Sequence, residues 1–296
     1  MKLFSLTSFV ILAGSLLSFG EGAANNTSVP AASASKIVPG KNFDRVVIFI
    51  FENNDYDKVI KNKYFKSLPV KYNGILLTNY YATTHPSQPN YIALISGSTA
   101  GTNEDDKSDI KRKNIVDLLE KKNISWKSYQ EDYPGHCNKK MDIKDYARKH
   151  NPFMSFVNIS ENKKRCANIV NSKQLDEDIK NNQVPQFVFY TPNLKNDAHD
   201  TSIKYASRWF KKYLEKRIQN KAFNKNTMFV VTFDEDDGGD ENKVYTSLFG
   251  PDFHPHNKSK KDNKKYNHYS LLRTIEDNWE LGTLKQKDEK ATPFDL

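Results

Sequence analysis

Three uninterrupted apolar runs constrain the fold of this chain more than any other feature. They cover Arg45–Phe51, Gln186–Thr191 and Thr227–Phe233, and each has the length of a β-strand. A strand that is apolar at nearly every position is buried on both faces, as in the parallel sheets of α/β proteins. Segments with helical periodicity separate the runs. The sequence therefore predicts an α/β fold, a three-layer α/β/α sandwich with a mostly parallel sheet.

The same patterns predict the shorter elements. Further strands are expected at Gly74–Ala82, Ile124–Tyr129 and Val244–Phe249. Helices are expected at Tyr91–Ser96, Ile115–Lys121, Leu175–Asn181, Ser202–Lys216 and from Tyr266 onward.

Acidic residues follow two of the apolar runs. Glu52 comes directly after the first, and Asp234 and Glu235 come directly after the third. Open α/β sheets bind ligands at the carboxyl ends of their strands. Either acidic group alone fits a solvated loop, but together they indicate a shared cation. The second group is not an EF-hand loop, because Gly238 and Gly239 stand at the wrong spacing.

Ser87 lies between a predicted strand and a predicted helix. Pro89 suits the first turn of that helix, where a missing N–H costs nothing. The start of a helix attracts anions, phosphate above all, because its first amides have no partner within the helix. The Ser87 hydroxyl is therefore either a nucleophile that faces a phosphoryl group or an ordinary N-cap.

The N-terminus resembles a secretory leader. Lys2 precedes the mostly apolar run Leu3–Leu17, and small residues follow. We expect a signal peptide at residues 1–22, a flexible lead-in at 23–41 and a single domain at 42–296. No later stretch is long and apolar enough for a stable membrane anchor. The predicted location is extracellular or in the cell wall.

Secretion changes how two other features are interpreted. Cys137 and Cys166 are the two cysteines of the chain, and in an oxidising compartment we expect them to form a disulfide. Candidate glycosylation sites are the sequons at Asn25, Asn26, Asn123, Asn158 and Asn257.

One motif resembles a known family. The segment His85-Pro-Ser-Gln-Pro-Asn-Tyr91, with Gly97, is similar to the signature of the phosphoesterase family within the alkaline phosphatase superfamily. That family includes secreted acid phosphatases and bacterial phosphatidylcholine-cleaving phospholipases C. The resemblance runs from about Asn42 to the C-terminus and implies an alkaline phosphatase-like fold. Further matching elements are Phe51-Glu52-Asn53, Asn193 with Asp197-Ala-His199-Asp200, Asp234-Glu235 with Gly238, and His268-Tyr-Ser270.

The resemblance also implies a site. A divalent metal, either Mg, Ca, Mn or Zn, is expected on Glu52, Asn53, Ser87, Asp234 and Glu235. Ser87 becomes the expected nucleophile, His199 the general acid and His268 its partner. The expected phosphate-binding residues are Asn53, Ser87, Asn90, His199 and His268.

The expected function is that of a secreted phosphatase. It hydrolyses phosphate monoesters on small substrates through a phosphoserine, with an acidic optimum if its histidines act protonated. A phospholipase C-type phosphodiesterase is one alternative. A non-catalytic binder of polyanions, suggested by the net charge of +9, is another. No nucleic-acid partner is expected, and the oligomeric state stays open. We expect Asp132, His136 and His150 to have surface or structural roles.

Overall fold

An eight-stranded sheet runs through the part of the chain that the computed structural model describes, residues 36–239 and 241–296. The strands of this part are β1 (Arg45–Phe51), β2 (Ile75–Leu77), β3 (Tyr80–Tyr81), β4 (Trp126–Gln130), β5 (Asp142–Ile143), β6 (Tyr146–Ala147), β7 (Ile169–Asn171), β8 (Phe187–Thr191), β9 (Thr227–Phe233), β10 (Thr246–Phe249), β11 (Lys261–Asp262) and β12 (Tyr266–Asn267). The order in the main sheet is β11-β2-β10-β9-β1-β8-β4-β7.

The helices of the described residues connect these strands. They are α1 (Tyr56–Lys61), α2 (Lys63–Lys71), α3 (Ser87–Ser96), α4 (Ile115–Lys121), α5 (Val157–Ser160), α6 (Lys163–Cys166), α7 (Gln174–Lys180), α8 (Ile203–Glu215), α9 (Lys221–Asn224) and α10 (His268–Asn278). Short 3-10 helices lie at Arg148–His150, Pro152–Ser155 and Lys287–Lys290.

The sheet is mostly parallel, as the sequence predicts. Strand β1 lies between β8 and β9 and is parallel to both, and β4 continues the parallel order beyond β8. Strand β10 is antiparallel to its neighbours β9 and β2. The uninterrupted apolar runs therefore occupy the centre of the sheet, where both faces of a strand are covered.

Aromatic contacts show helices on both faces of the sheet. On one face the ring of Phe51 lies 5.2 Å from Phe65 of α2 and 5.1 Å from Phe210 of α8. Phe189 points to the opposite face, where its ring lies 6.5 Å from Tyr91 of α3. Side chains alternate between the two faces along each strand, so the sheet is the middle layer of a three-layer α/β/α arrangement. This confirms the predicted fold class.

One predicted strand is wrong. The run Gly74–Ala82 is divided between two sheets: β2 belongs to the main sheet, and β3 pairs with β12 in a separate two-stranded sheet. The polar residues Thr78 and Asn79 separate them. The Thr78 amide donates to the carbonyl of Asp262, 2.7 Å away, and this bond belongs to the β11 side of the main sheet. After these residues the chain leaves the main sheet and continues through β3 toward Ser87.

The predicted disulfide is present between Cys137 and Cys166, which are 29 positions apart. Among the sequons, Asn123 is exposed and Asn257 is half-buried, while the Asn158 amide donates to the Asp117 carboxylate. The predicted signal peptide, residues 23–35 of the lead-in, and Asn25 and Asn26 lie outside the described residues. Within the described residues, none of the helices has both the length and the apolar character that a bilayer crossing requires.

Candidate active site

Three adjacent strands deliver acidic residues to one edge of the sheet. Glu52 follows β1, Asp234 follows β9, and Asp197 lies on the loop after β8. All three side chains are fully buried. The Glu52 amide donates to the Asp197 carbonyl at 3.0 Å, and the Asp234 amide donates to the Phe51 carbonyl at 3.0 Å. The carboxyl ends of β8, β1 and β9 therefore converge, as parallel strands require.

Asn53 extends this group through an unusual backbone conformation. Its φ of 41° lies in the left-handed region, which asparagine adopts more readily than most residues. The conformation directs the Asn53 amide toward Oδ1 of Asp234, 3.4 Å away. The side-chain oxygen of Asn53 is buried without a hydrogen-bond partner among the described residues. Asn53 thus presents an unused oxygen beside Asp234.

Ser87 is the first residue of α3, and it does not cap the helix. The N-cap is Pro86, which makes no side-chain capping bond. The Ser87 hydroxyl lies 3.1 Å from Oε2 of Glu52 and 2.9 Å from Oε1 of Glu235. It has one proton to donate, so the two carboxylates share it. The buried hydroxyl therefore faces the acids of two strand ends, and the N-cap alternative does not describe it.

Asn90 is hydrogen-bonded to the loop that precedes Ser87. Its side-chain oxygen accepts from the amides of Thr83 and Thr84, at 2.9 and 3.1 Å. Its side-chain nitrogen donates to the carbonyls of Thr84 and Pro86, at 2.7 and 3.2 Å. The oxygen and the nitrogen of the Asn90 side chain are thus both hydrogen-bonded to the loop before Ser87. Asn90 therefore holds this loop in place, and its role in phosphate binding stays a prediction.

His268 is fully buried, and both of its ring nitrogens contact protein groups. Its Nε2–H donates to the backbone carbonyl of Asp234 at 2.6 Å, and its Nδ1 accepts from the Tyr80 hydroxyl at 3.0 Å. Burial lowers the pKa of the ring to about 4. Both nitrogens are therefore occupied by protein groups, and the ring is neutral over most of the acidic range. His268 positions the backbone of Asp234.

His199 remains at the mouth of the site. Its amide donates to Oδ1 of Asp197 at 2.8 Å, and its Nδ1 lies 2.7 Å from Oδ1 of Asp200. Nε2 lies 3.4 Å from the ammonium of Lys149. The residue between Asp197 and His199 is Ala198, whose φ of 87° is unfavourable for a side chain with a Cβ. Such strain is common at functional sites, where surrounding contacts enforce it.

The structure places His150 in the site, which the sequence did not predict. Its Nε2 lies 3.3 Å from Oε1 of Glu52, and its Nδ1 lies 3.6 Å from Oδ2 of Asp197. The ring stacks on Tyr91, whose hydroxyl donates to Glu52. Burial lowers the pKa of His150 well below its usual value, and the Lys149 charge lowers it further. A neutral, buried imidazole of this kind is suited to metal binding.

His85 is a second histidine that sequence reasoning assigned only to the motif. Its Nδ1 contacts the carboxylate of Glu235, and its Nε2 lies 3.5 Å from Oδ1 of Asp236. Glu235 is thereby held between His85 and Ser87. Asp132, by contrast, has the structural role that was expected, because it accepts from the Asn193 side chain at 2.7 Å.

The buried acids raise one another's pKa values. Burial raises the pKa of Glu52 well above its usual range, and the charge of Asp197 raises it further. Burial likewise raises the pKa of Asp234, with the charges of Glu52 and Glu235 adding to the effect. Several carboxylates so close together disfavour ionisation unless a cation compensates them. Electrostatics therefore favours a cation at this strand edge.

Unpartnered atoms show that the residues present fit a divalent metal. Asn53 Oδ1, Asp234 Oδ2, Asp197 Oδ2 and His150 Nε2 are buried and have no hydrogen-bond partner among the described residues. One atom each from Glu52, His150 and His199 also lie within 4.8 Å of one another. Glu52 thus belongs to a cluster of three candidate ligands, and the unpartnered oxygens of Asn53 and Asp234 lie at the ends of the adjacent strands β1 and β9. The donors are oxygen and imidazole nitrogen, a set that does not select one metal.

Solved structures support the fold. A protein in the alkaline phosphatase superfamily from Vibrio parahaemolyticus matches with a TM-score of 0.56 at 13% identity, over 85% of this chain and 70% of that one. The lipoteichoic acid synthase LtaP of Listeria monocytogenes matches with a TM-score of 0.55 at 12% identity, over 85% of this chain and 75% of that one. These neighbours confirm an alkaline phosphatase-like architecture.

Sequence relatives are more similar. A Kluyveromyces lactis protein named "Probable acid phosphatase" is 39% identical over 93% of this chain and 67% of its own length. An acid phosphatase of Aspergillus fumigatus is 36% identical over 91% of this chain and 62% of its own length. A phosphatidylinositol-3-phosphatase of Mycobacterium tuberculosis is 30% identical over 90% of this chain and 85% of its own length. The chain thus spans about two thirds of the length of these fungal relatives.

The family itself follows from these comparisons. A profile described as the Phosphoesterase family matches residues 63–282, which include Ser87, Asp234, Glu235 and His268. The match begins after Glu52 and Asn53, which join the site through the structure. The predicted resemblance is confirmed, and this chain belongs to the phosphoesterase family.

Proposed function

We propose that this protein is a phosphatase that hydrolyses phosphate monoesters through a phosphoserine at Ser87. The relatives named acid phosphatase and the family match support a phosphate ester hydrolase. The observation that carries the mechanism is the Ser87 hydroxyl, which lies at the start of α3 between the carboxylates of Glu52 and Glu235. A hydroxyl placed there can lose its proton to a carboxylate while it faces an anion-binding helix end.

A divalent metal would be held by Glu52, Asn53, Ser87, Asp234 and Glu235. The support is the pair of unpartnered oxygens on Asn53 and Asp234. When bound, the metal supplies charge that stabilises the Ser87 oxygen as an anion and screens the phosphoryl group.

Residues of the chain carry out the proton transfers and the attack on phosphorus. Ser87 transfers its proton to the Glu235 carboxylate, and its oxygen forms a bond to phosphorus while the bond to the leaving oxygen breaks. His199, when protonated on both ring nitrogens, donates the Nε2 proton to that oxygen, while its Nδ1–H donates to Asp200. In the second half, His199 takes a proton from water, the water oxygen bonds to phosphorus, and the Ser87 oxygen leaves and takes its proton back from Glu235.

We also propose that the protein is secreted after removal of a leader at residues 1–22, and that 42–296 act as one domain. The disulfide supports an oxidising compartment. An acidic optimum is supported by the names of the fungal relatives. His268 is not its source, because a pKa of about 4 leaves this ring neutral in mild acid.

The test is to trap the intermediate. The full chain is incubated with p-nitrophenyl phosphate and divalent metal and quenched in acid, and its peptides are analysed by mass spectrometry. Phosphate is expected on the peptide that contains Ser87. Ser87→Ala should reduce kcat at least about 1,000-fold with little change in melting temperature, since no capping bond is lost.

Thr84→Ala is the matched control. Thr84 lies three positions earlier, and its hydroxyl donates to the carbonyl of His85, so it should keep most of the activity. Phosphate on Thr84 or on a histidine, or an active Ser87→Ala protein, would remove Ser87 as the nucleophile. Binding of polyanions without turnover of any phosphate ester would favour the non-catalytic alternative.

A further inference from the structure

The segment Tyr146–Phe153 brings a cation to the site that the proposed mechanism does not use. Arg148 anchors the segment from inside: its guanidinium donates to the carbonyls of Lys139, Ser108 and Met154 at 3.2, 3.2 and 2.9 Å. The next residue, Lys149, lies in the short 3-10 helix Arg148–His150. The rigid anchor fixes the direction in which the Lys149 side chain extends.

Lys149 extends into the acidic mouth of the site. Its side chain is 20% exposed. The ammonium lies 2.9 Å from Oδ2 of Asp105 and 3.4 Å from Nε2 of His199. Burial would lower the pKa of Lys149, but the hydrogen bond to Asp105 and the negative charges of Glu52 and Asp234 outweigh burial, and the pKa is raised. The ammonium therefore keeps its charge.

Asp105 shows that anionic oxygens bind at this position. Its Oδ1 accepts from the amide of Gln88 in the first turn of α3, at 2.8 Å, while its Oδ2 binds Lys149. One carboxylate thus joins the start of the helix to the lysine. An ammonium has three N–H bonds, so Lys149 can bind a further anionic oxygen without releasing Asp105.

Phosphate esters differ in the charge that such a lysine meets. A monoester carries up to two negative charges, whereas a diester carries one, because its second oxygen is alkylated. The buried acids Glu52, Asp197 and Asp234 also belong to this site, and negative charge on them repels the second charge of a monoester. A cation fixed beside His199 compensates for that charge. A diester lacks the second charge, so the cation stabilises a bound diester less.

We propose that Lys149 selects phosphate monoesters over phosphate diesters by pairing its ammonium with the second negative charge of the monoester. The inference rests on the proposed phosphatase function and assigns its substrate class to one residue. The proposed pairing distinguishes a monoesterase from the phospholipase C-type alternative, because only a monoester carries the second negative charge.

The experiment uses two substrates with the same leaving group, p-nitrophenyl phosphate and p-nitrophenyl methyl phosphate. They differ by one methyl group and one negative charge, so leaving-group protonation is matched. Lys149→Met should lower kcat/KM about 100-fold for the monoester and less than about fivefold for the diester. Lys149→Arg, which keeps the charge, should recover most of the monoester activity. Inorganic phosphate, measured by calorimetry, should bind Lys149→Met at least about tenfold more weakly than wild type.

Lys127→Met is the matched control. Lys127 lies on β4, is similarly half-buried and pairs with Asp178 at 2.6 Å. Lys127→Met should therefore lower kcat/KM less than about twofold for either substrate. The proposal would be overturned if Lys149→Met lowered kcat/KM equally for the two substrates, or if it left phosphate binding unchanged. If the wild-type diester rate is too low to measure, phosphate binding decides. A wild-type protein that cleaves neither substrate would instead refute the proposed function, while phosphate binding still tests Lys149.

Discussion

Two regions of the molecule bury carboxylates, and they differ in what surrounds them. At the edge of the sheet, Glu52 and Asp234 are fully buried among other acids. Away from it, Glu276 of α10 and Asp288 of the 3-10 helix Lys287–Lys290 are equally buried. In both regions burial is the largest cause of raised pKa values, and neighbouring carboxylates add to it.

The difference lies in how many free ligand atoms converge. At the strand edge, unpartnered atoms of Asn53, Asp234 and His150 come from three separate segments of the chain. In the second region both oxygens of Glu276 are also unpartnered, but they belong to a single residue. Both oxygens of its neighbour Asp288 already accept from backbone amides, those of Leu284 and Gln286 at 2.7 and 2.9 Å. A buried acid with a raised pKa therefore does not identify a site. Convergence of unused donors from several segments does.

The largest effect should follow from removing charge at the strand edge. Asp234→Asn keeps the shape of the side chain but removes a ligand charge, so we expect kcat to fall about 1,000-fold or more and bound divalent metal to be lost. The fold should persist, because a buried repulsion is relieved. Activity assays, elemental analysis and melting curves measure the three effects. Full activity of Asp234→Asn after exhaustive chelation would break the comparison, since both regions would then be structural.

A smaller effect, on stability alone, should follow at the second region. Burial and Asp288 raise the pKa of Glu276 from 4.5 to about 9. The folded state thus holds a proton that the unfolded state releases. Its stabilising contribution is fully present below about pH 4.5 and is lost as the pH rises toward about 9. Glu276→Gln keeps a neutral side chain at all pH values, so it should flatten this dependence.

The measurement is the melting temperature as a function of pH. Glu276→Gln should melt roughly 5 °C above wild type at pH 9 and within about 2 °C of it at pH 4.5, with unchanged kcat. Asp277→Asn is the control, because this neighbour is half-buried and pairs with Arg273 at 2.9 Å. A large loss of kcat in Glu276→Gln would mean that the second region also takes part in function.

The smallest effect should come from the start of α10, the helix that connects the two regions. Tyr80→Phe removes the donor to Nδ1 of His268. The ring would then hold the Asp234 carbonyl less firmly, and we expect a loss of about 1 kcal/mol in stability and a two- to tenfold loss of kcat. Tyr266→Phe, which removes a bond to Asp262, controls for loss of a buried hydroxyl contact. Equal kcat values in the two variants would show that His268 does not position Asp234.

The central strands could be predicted because nearly every position in them is apolar, as burial on both faces requires. Residues Arg45–Phe51 and Thr227–Phe233 are buried throughout, and the predicted ends agree with β1 and β9. The Gly74–Ala82 run failed because local apolarity does not show which sheet a strand joins. Its division depends on pairing with β12, which lies far along the chain.

The site was accessible to sequence reasoning only in part. Glu52 and Asp234 could be placed because a strand end has a predictable position in a parallel sheet. Lys149 and His150 could not, because a single 3-10 turn has no periodicity and its approach to Glu52 arises from long-range packing. A sequence motif also does not show where side chains point. For this reason the contacts of Asn90 with the loop before Ser87, and of His268 with the Asp234 carbonyl, could not be predicted.

The disulfide gives the site an unusual topology. Cys137 and Cys166 bracket the segment that carries Lys149 and His150, so this segment is a covalently closed ring and not a simple loop. Cross-linking its ends restricts the unfolded chain, and the restriction falls on the part of the site whose position local sequence specifies least. Formation of the disulfide therefore also constrains the segment that carries Lys149 and His150. In the reduced chain only noncovalent contacts would hold this segment at the candidate site.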